Sequence, residues 1–587
     1  MSETNGRQVG QIFFQRAAEL GERTFVKLQK AGGFEEVSWR GFAALVSQVL
    51  LGLVALGLQP GDTVAIIGEN SLEWLAADLA TLAAGFTNVV LSPSLSDVMF
   101  LKVLGHSGCR AAFVQGAAGM GRLLNLKGQL PALSHIIAMD TADANLPNTL
   151  SFAQLAERGQ SADDQRLAAL LEAVHPQDLA TIMYTSGSTG EPKGVIRTYD
   201  NLLANITNGG ALVVSKPEEL TVNVLSLNHL FGRFGFLKSA VTGRTTALIE
   251  AAESKVDLAV IEQLAPTGLA VVPRVMERIW DRLLSQDGND DLWRELESID
   301  GKNWPATGAD AAKFDELRSE LKTNVRRALG GRLKYIAYSG AAMPPRIMRF
   351  FALIGIPLIG SYGSTECGGV TLCTIGDNQP GNLGKPFANV QIRIANDGEI
   401  LVRGPTVSPG YFKNPQATGE AFDTEGWFYT GDLGAIEPDG SLRITGRKKD
   451  AFNCSDGSNI YPGFIELQLE NEPFIRQAVL LGDRRPFVAA LVVPDLPQIA
   501  AALNCMAASL SQEQIRAALW TQIERVNARL EHYERIREIA VLPEDFSAAV
   551  RSINVFQKVK VDRKAVAERY RETIEAIYAP ATLGGTA

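Results

Sequence analysis

The sequence predicts an α/β protein: a large multi-subdomain N-terminal body with parallel sheets and a small β-barrel-like part, then a small mobile α+β C-terminal domain. Three observations lead there. Short β-branched runs alternate with helix-length patterns through the first part of the chain, which is the signature of βαβ units. From Gln391 the texture changes to short strands separated by turn residues. A basic cluster, Gly446-Arg-Lys-Lys449, then separates a strand from a last segment with a βα pattern of its own. The expected domains are 1–445 and 446–587.

In chain order, Phe42 to Leu58 is the most apolar stretch, at 17 residues including Ser47 and Gln48. A membrane span needs ~20 apolar residues, so this reads as a buried amphipathic helix stopped by Gln59-Pro60-Gly61-Asp62. Thr63–Ile67 reads as a strand before a helix over Leu72–Ala84, and Arg110–Val114 as the strand after another helix. Near-continuous apolar strands between helices belong to parallel sheet buried on both faces. Ala180–Met183 is a further strand of that kind. Gln391–Ala395, the turn Asn396-Asp-Gly398 and Glu399–Arg403 read as an antiparallel meander or small barrel. Leu442–Thr445 is the strand before the basic cluster. In the last segment Ser511-Gln-Glu-Gln514 resembles a capping box that opens a helix over Ile515–Leu530.

The chain has 587 residues, 46% hydrophobic and 21% charged, which excludes a disordered or collagen-like protein and a disulfide mini-scaffold. With 56 basic and 65 acidic residues the net charge is −9, and no basic stripe interrupts it, so no nucleic-acid partner is expected. Five unclustered cysteines fit a reducing compartment. The polar start MSETNGRQVGQ lacks the apolar core of a signal peptide. A cytoplasmic protein without a transmembrane segment is expected, with peripheral membrane contact and oligomeric state left open.

The strongest chemical signal is Tyr184-Thr-Ser-Gly-Ser-Thr-Gly-Glu-Pro-Lys-Gly194, directly after the strand. Its three glycines, four Ser/Thr hydroxyls and one lysine suit a polyphosphate. Glycines let backbone N–H groups approach the oxygens, hydroxyls donate further hydrogen bonds, and Lys193 adds a point charge. The spacing Gly187-x-x-Gly190-x-x-Lys193 is not that of a Walker A loop. The plainer alternative is an exposed turn, since Ser-Gly and Glu-Pro are ordinary loop dipeptides. The number of such residues in one register favours phosphate.

This segment resembles the phosphate-loop signature of the adenylate-forming superfamily of acyl-CoA synthetases, peptide-synthetase adenylation domains and luciferases. Other segments agree in order: Ser361-Tyr-Gly-Ser-Thr-Glu366, Tyr429-Thr-Gly-Asp-Leu433, Arg443-Ile-Thr-Gly-Arg-Lys-Lys-Asp450, and Gly457-Ser-Asn-Ile-Tyr-Pro462 with Glu466. The resemblance implies roles. Thr185, Ser186, Gly187, Ser188, Thr189, Gly190 and Lys193 would hold the phosphates. Tyr362 would stack on adenine beside Gly363, and Gly340, Ala341 and Ala342 would form the adenine-contacting loop. Thr365 would bond the α-phosphate. Glu366, with Thr185, would hold Mg2+, a hard cation suited to oxygen ligands. Asp432 would accept both ribose hydroxyls and Arg447 would reach ribose or phosphate. Lys449 would be the hinge.

The resemblance also implies a catalytic lysine near the C-terminus, where a cation stabilises charge as the carboxylate attacks phosphorus. Within Phe556-Gln-Lys-Val-Lys-Val-Asp-Arg563, Lys558 aligns best and Lys560 is the alternative. Long-chain acyl-CoA synthetases are the nearest branch, through Val272-Pro-Arg-Val-Met-Glu-Arg278, Leu225-Ser-Leu-Asn-His229 and Val479–Phe487. His229 is a candidate gate to the acyl site or, equally, a buried structural histidine. Tyr199 stands where a histidine is usual, and Ala451-Phe-Asn-Cys454 where an aliphatic run is common. The expected activity is an AMP-forming fatty acid–CoA ligase. It would use ATP and Mg2+, take a medium- or long-chain fatty acid through an acyl-adenylate, and transfer it to coenzyme A. Two alternatives stand beside it: an acyl-AMP ligase that serves a carrier protein or closes a ring, and a catalytically silent binding homologue.

Overall fold

The computed structural model describes residues 7–579 apart from 31, 141–148, 161–163, 187–190, 209–217, 250–256, 287, 301–308, 375–381, 544–545, 547–550, 554–558 and 562. Its contacts divide the chain into two units. The first holds 1–343, 347–392 and 402–429, and the second holds 344–346, 393–401 and 430–587.

Two sheets build the first unit. One has seven strands in the order Thr149–Ser151, His135–Ala138, Ala111–Val114, Thr63–Ile67, Thr87–Leu91, Leu179–Ser186, Pro192–Thr198. All neighbours are parallel except the last pair. Thr63–Ile67 and Thr87–Leu91 are buried at every residue. Period-two alternation is therefore missing from these strands, and a continuous apolar run is the correct sequence signal. The second sheet has nine strands, parallel through its centre and antiparallel at both edges. Its antiparallel edge, Leu358–Ser364 against Gly368–Leu372, carries the Tyr-Gly-x-Thr-Glu segment.

The apolar stretch near the start is a helix, Trp39–Ala55, capped by Ser38, whose Oγ accepts from the Gly41 N–H at 3.1 Å. Its core face includes Trp39, Phe42, Val46, Val49 and Leu50. Phe13, Phe25, Trp39, Phe42 and Phe236 form a continuous aromatic cluster around it. The opposite side meets the helix Phe152–Gly159 at backbone range. A Cβ added at Gly52 would lie 2.2 Å from the Leu155 carbonyl oxygen, and one at Gly159 would lie 2.0 Å from that of Gln48. Among the described residues no helix is long and apolar enough to cross a membrane.

The second unit contains most of a four-stranded sheet in the order Gln391–Ile394, Glu399–Arg403, Phe428–Ile436, Leu442–Arg447. The strand expected over Leu442–Thr445 continues to Arg447, because Asp432 and Arg447 extend the antiparallel ladder. A three-stranded sheet follows, Ile475–Leu481, Val488–Pro494 and Ile536–Val541. The helix Gln512–Asn527 packs on it through Ile515, Leu519, Ile523 and Val526. The expected capping box is present at Ser511 and Gln514 and opens this helix, which ends at Asn527 rather than at Leu530. All five cysteines are free thiols, and only Cys505 is exposed.

Candidate active site

Strands Leu179–Ser186 and Pro192–Thr198 form the arms of the phosphate segment, with Thr185 opposite Lys193 and Ser186 opposite Pro192. Gly187, Ser188, Thr189 and Gly190, at the tip, lie outside the described residues. Gly194 is required where it stands, since a Cβ there would sit 2.8 Å from Ile182 and 3.2 Å from the Tyr184 ring. Lys193 and Arg197 share one face of their strand, being an even number of residues apart. The Lys193 ammonium lies over the Tyr411 ring, 5.1 Å from its centroid. Arg197 is wholly buried and donates to the carbonyls of Thr365 and Thr406. Burial pulls its pKa down to about 10, against the opposing pull of Cys367 and Glu366. The arginine thus straps the lysine-bearing strand to the Thr365–Glu366 peptide.

That peptide is held on every side. Ser364 Oγ accepts from the N–H groups of Glu366 at 3.1 Å and Cys367 at 3.3 Å. The Ser408 N–H donates to the Glu366 carbonyl at 2.8 Å. The Tyr411 hydroxyl donates to Glu366 Oε1 at 3.3 Å. Glu366 Oε2 has no hydrogen bond among the described residues. A half-buried carboxylate with one oxygen oriented and one open fits a hard divalent cation. Gly363 admits the strand partner, because a Cβ would lie 2.2 Å from the Gly368 carbonyl. Tyr362 is buried, and Ser339 Oγ donates to the Ser361 carbonyl at 3.0 Å. This bond sets the exposed loop Gly340, Ala341, Ala342 beside the Tyr362 strand, with Gly340 at φ +91°.

His229 stands at the N-cap of the helix Leu230–Thr242. Three amide side chains fix the preceding loop. Asn70 Nδ2 donates to the Leu225 carbonyl at 2.8 Å while its Oδ1 accepts from the Leu227 N–H at 2.9 Å. Asn228 Nδ2 donates to the Gly68 carbonyl at 2.9 Å. Asn223 Nδ2 donates to the Gly232 carbonyl at 2.8 Å. One turn into the helix, Arg233 makes a bidentate pair with Asp78, both fully buried. Tyr199 is a core residue whose hydroxyl donates to the Leu82 carbonyl at 2.8 Å.

In the second unit Asp432 is 4% exposed and pairs with Arg447 Nε at 2.7 Å. Glu399, also buried, accepts from the Gly431 N–H at 2.8 Å and from Lys448 Nζ at 2.6 Å. The hydrogen bonds Lys448 donates to Asp397 and Glu399 raise its pKa to about 12. Lys449 is exposed in the 3₁₀ turn Lys448–Asp450, and Gly457 turns the next loop at φ +86°. Glu466 accepts from the Leu480 N–H at 2.7 Å and from Arg563 Nη2 at 2.7 Å, anchoring the chain just after the C-terminal lysines. Lys558 lies outside the described residues. Lys560 is on the strand Val559–Val561, paired with Arg551–Ile553.

Sequence reasoning did not find Arg197, Tyr411 or Glu399. An arginine directly after the apolar pair Val195-Ile196 was a readable signal for Arg197. Tyr411 had none, since its partners are 45 residues away at Glu366 and further at Lys193.

The likeness to solved structures is one of fold. The anthranilate CoA ligase AuaEII with anthranoyl-AMP superposes with TM-score 0.73 at 19% identity, covering 97% of this chain and 98% of that one. ATP-bound MatB from Rhodopseudomonas palustris gives 0.71 at 22% identity, covering 96% and 99%. The long-chain-fatty-acid–CoA ligase FadD15 of Mycobacterium tuberculosis is 34% identical over 574 residues, 93% of each protein. Fatty acyl-CoA synthetase A of Dictyostelium discoideum is 27% identical, over 95% of this chain and 88% of its own length. With residues 13–412 matching the AMP-binding enzyme family and 449–582 its C-terminal domain, the chain belongs to the AMP-binding enzymes.

Proposed function

We propose that the protein is an ATP-dependent, AMP-forming fatty acid–CoA ligase. The observation that supports it best is the meeting of Lys193, Glu366 and Tyr411 beside the Arg197-strapped Thr365 peptide, which gathers cation and carboxylate where a polyphosphate segment leaves its strand. The relatives named as long-chain fatty acid–CoA ligases supply the acid and the acceptor. In the first half-reaction the fatty carboxylate attacks the α-phosphorus of ATP, forming acyl-AMP and releasing pyrophosphate. In the second the thiolate of coenzyme A attacks the acyl carbon and AMP leaves.

The chain's own groups then take these roles. Lys193 and the loop 185–190 bind the phosphates, and Thr365 bonds the α-phosphate with its hydroxyl. Glu366, with Thr185 as second oxygen donor, would hold a magnesium ion that neutralises phosphate charge. Tyr362 and the 340–342 loop receive adenine. Asp432, oriented by Arg447, accepts the ribose hydroxyls with its two oxygens. Lys558, with Lys560 as the alternative, stabilises charge at phosphorus. Lys449 is the hinge, and His229 on its pinned loop gates the acyl site. A cytoplasmic location accords with the free cysteines.

The test is ATP–pyrophosphate exchange across a panel of fatty acids, followed by AMP release with coenzyme A or with a carrier protein as acceptor. Exchange with medium- or long-chain acids and AMP release on adding coenzyme A is the expected result. Release only with carrier protein would move the reading to an acyl-AMP ligase, and no exchange with any acid would overturn catalysis.

A further inference from the structure

Tyr411 belongs to none of the recognised motifs, yet it touches two of them. Its backbone is locked first. Tyr411 bridges Val195 across the strand, the Ile196 N–H donates to the Gly410 carbonyl at 3.1 Å, and the Phe412 N–H donates to that of Gly194 at 2.7 Å. The Tyr411 N–H itself donates to Thr418 Oγ1 at 2.9 Å. Its ring then packs with Val195, Ala417 and Phe422, leaving 8% of the residue exposed. A side chain fixed at both backbone and ring delivers its hydroxyl to one place, and that place is Glu366 Oε1, 3.3 Å away. The same ring presents its face to the Lys193 ammonium at 5.1 Å. An aromatic face attracts a cation through its quadrupole, and a phenol that donates to a carboxylate orients it.

We propose that Tyr411 is a positioning residue: it parks Lys193 and aims Glu366 together, so that cation and carboxylate are set for a metal-bound polyphosphate before nucleotide arrives. This rests on the proposed ATP-dependent function. Two neighbours on separate segments, 173 positions apart in sequence, are thereby placed by one side chain. The hydroxyl serves the carboxylate, and the ring serves the ammonium. The two tasks separate by mutation.

The experiment is calorimetric titration of the full-length enzyme with ATP, at saturating and at limiting Mg2+, and with AMP. Tyr411→Phe removes the hydroxyl and keeps the ring. It should weaken Mg2+–ATP binding about tenfold, the scale of a hydrogen bond to a charged group, and raise the Mg2+ concentration needed, while AMP binding stays within about twofold. Tyr411→Leu should also weaken ATP binding without Mg2+, because Lys193 loses its platform. Unchanged Mg2+–ATP binding and Mg2+ requirement in Tyr411→Phe would overturn the proposal alone. Equal losses for ATP and AMP would overturn it too, since they mark a general packing role. A wild-type protein that binds neither nucleotide would overturn the functional reading and this one with it.

Discussion

Arg233 and Asp78 show how much one buried side chain can hold. The guanidinium bonds both Asp78 oxygens, at 2.6 and 3.0 Å, and also Thr181 Oγ1 and Asn88 Oδ1. It thus joins a helix that begins at His229 to the strand that leads into the phosphate segment. Burial raises the Asp78 carboxyl, and the Arg233 charge works against that rise. Removing one partner leaves the other charge buried alone. Arg233→Met and Asp78→Leu should each cost about 3–5 kcal/mol, and the double variant less than their sum. Denaturant unfolding of the three variants checks this. At Glu366 the same reasoning yields a functional outcome. Glu366→Gln keeps shape and the Tyr411 contact while removing charge, so exchange should fall by about 10²-fold with thermal stability unchanged. Wild-type exchange at limiting Mg2+ would remove Glu366 from the metal role.

Between elements, the contact of helices Trp39–Ala55 and Phe152–Gly159 depends on two glycines whose α-hydrogens face carbonyl oxygens. Gly159→Ala and Gly52→Ala each push a methyl to 2.0–2.2 Å from backbone oxygen, which cannot swing aside as a side chain would. Each should cost about 1–3 kcal/mol or force the helices apart. Gly121→Ala, in the helix Ala117–Leu126 with nothing within 4 Å, should be neutral or stabilising. Thermal melting separates the two cases. For the turn Lys448–Asp450 a proline at 449 fixes φ and also disfavours the helical region at Lys448. Lys449→Pro should impair thioester synthesis while pyrophosphate exchange survives, and Lys449→Ala should affect neither. Equal loss of both half-reactions in the proline variant would point to misfolding, and intact thioester synthesis would sink the hinge.

At the scale of the molecule, pH dependence follows from two half-buried histidines. Burial, with Lys413 second, holds His106 below its ordinary 6.5, and burial with Arg110 does the same at His135. The unfolded chain therefore takes up these protons first as pH falls. Stability that is fully present above pH 6.5 is lost as pH drops through 6.5 toward the folded values. Glu69 and Glu472, raised by burial, act in the opposite sense. The measurement is accordingly the difference between wild type and His106→Gln. Melting temperature should fall less steeply from pH 7 to 5 in the variant, and parallel curves would discard the assignment.

Local rules sufficed for a good share of the molecule. The strands Thr63–Ile67 and Glu399–Arg403 and the Ser511 cap follow from apolar runs and capping chemistry, which depend on near neighbours in sequence. The α/β class follows from the spacing of those runs, and the motif order placed the chain among adenylate-forming enzymes. Tertiary structure alone decided which distant side chains meet. That Arg197 grips the Thr365 carbonyl, that Tyr411 joins Lys193 to Glu366, and that Glu399 holds the Gly431 N–H are outcomes of sheet order and strand register. Tyr199, odd by comparison with a histidine, became a core residue because Leu82 offers its hydroxyl a carbonyl. Hydrophobic periodicity reports which face of an element is buried, whereas the partner of a buried polar atom is set by long-range packing, because its desolvation must be offset by whichever group the fold brings within hydrogen-bond distance.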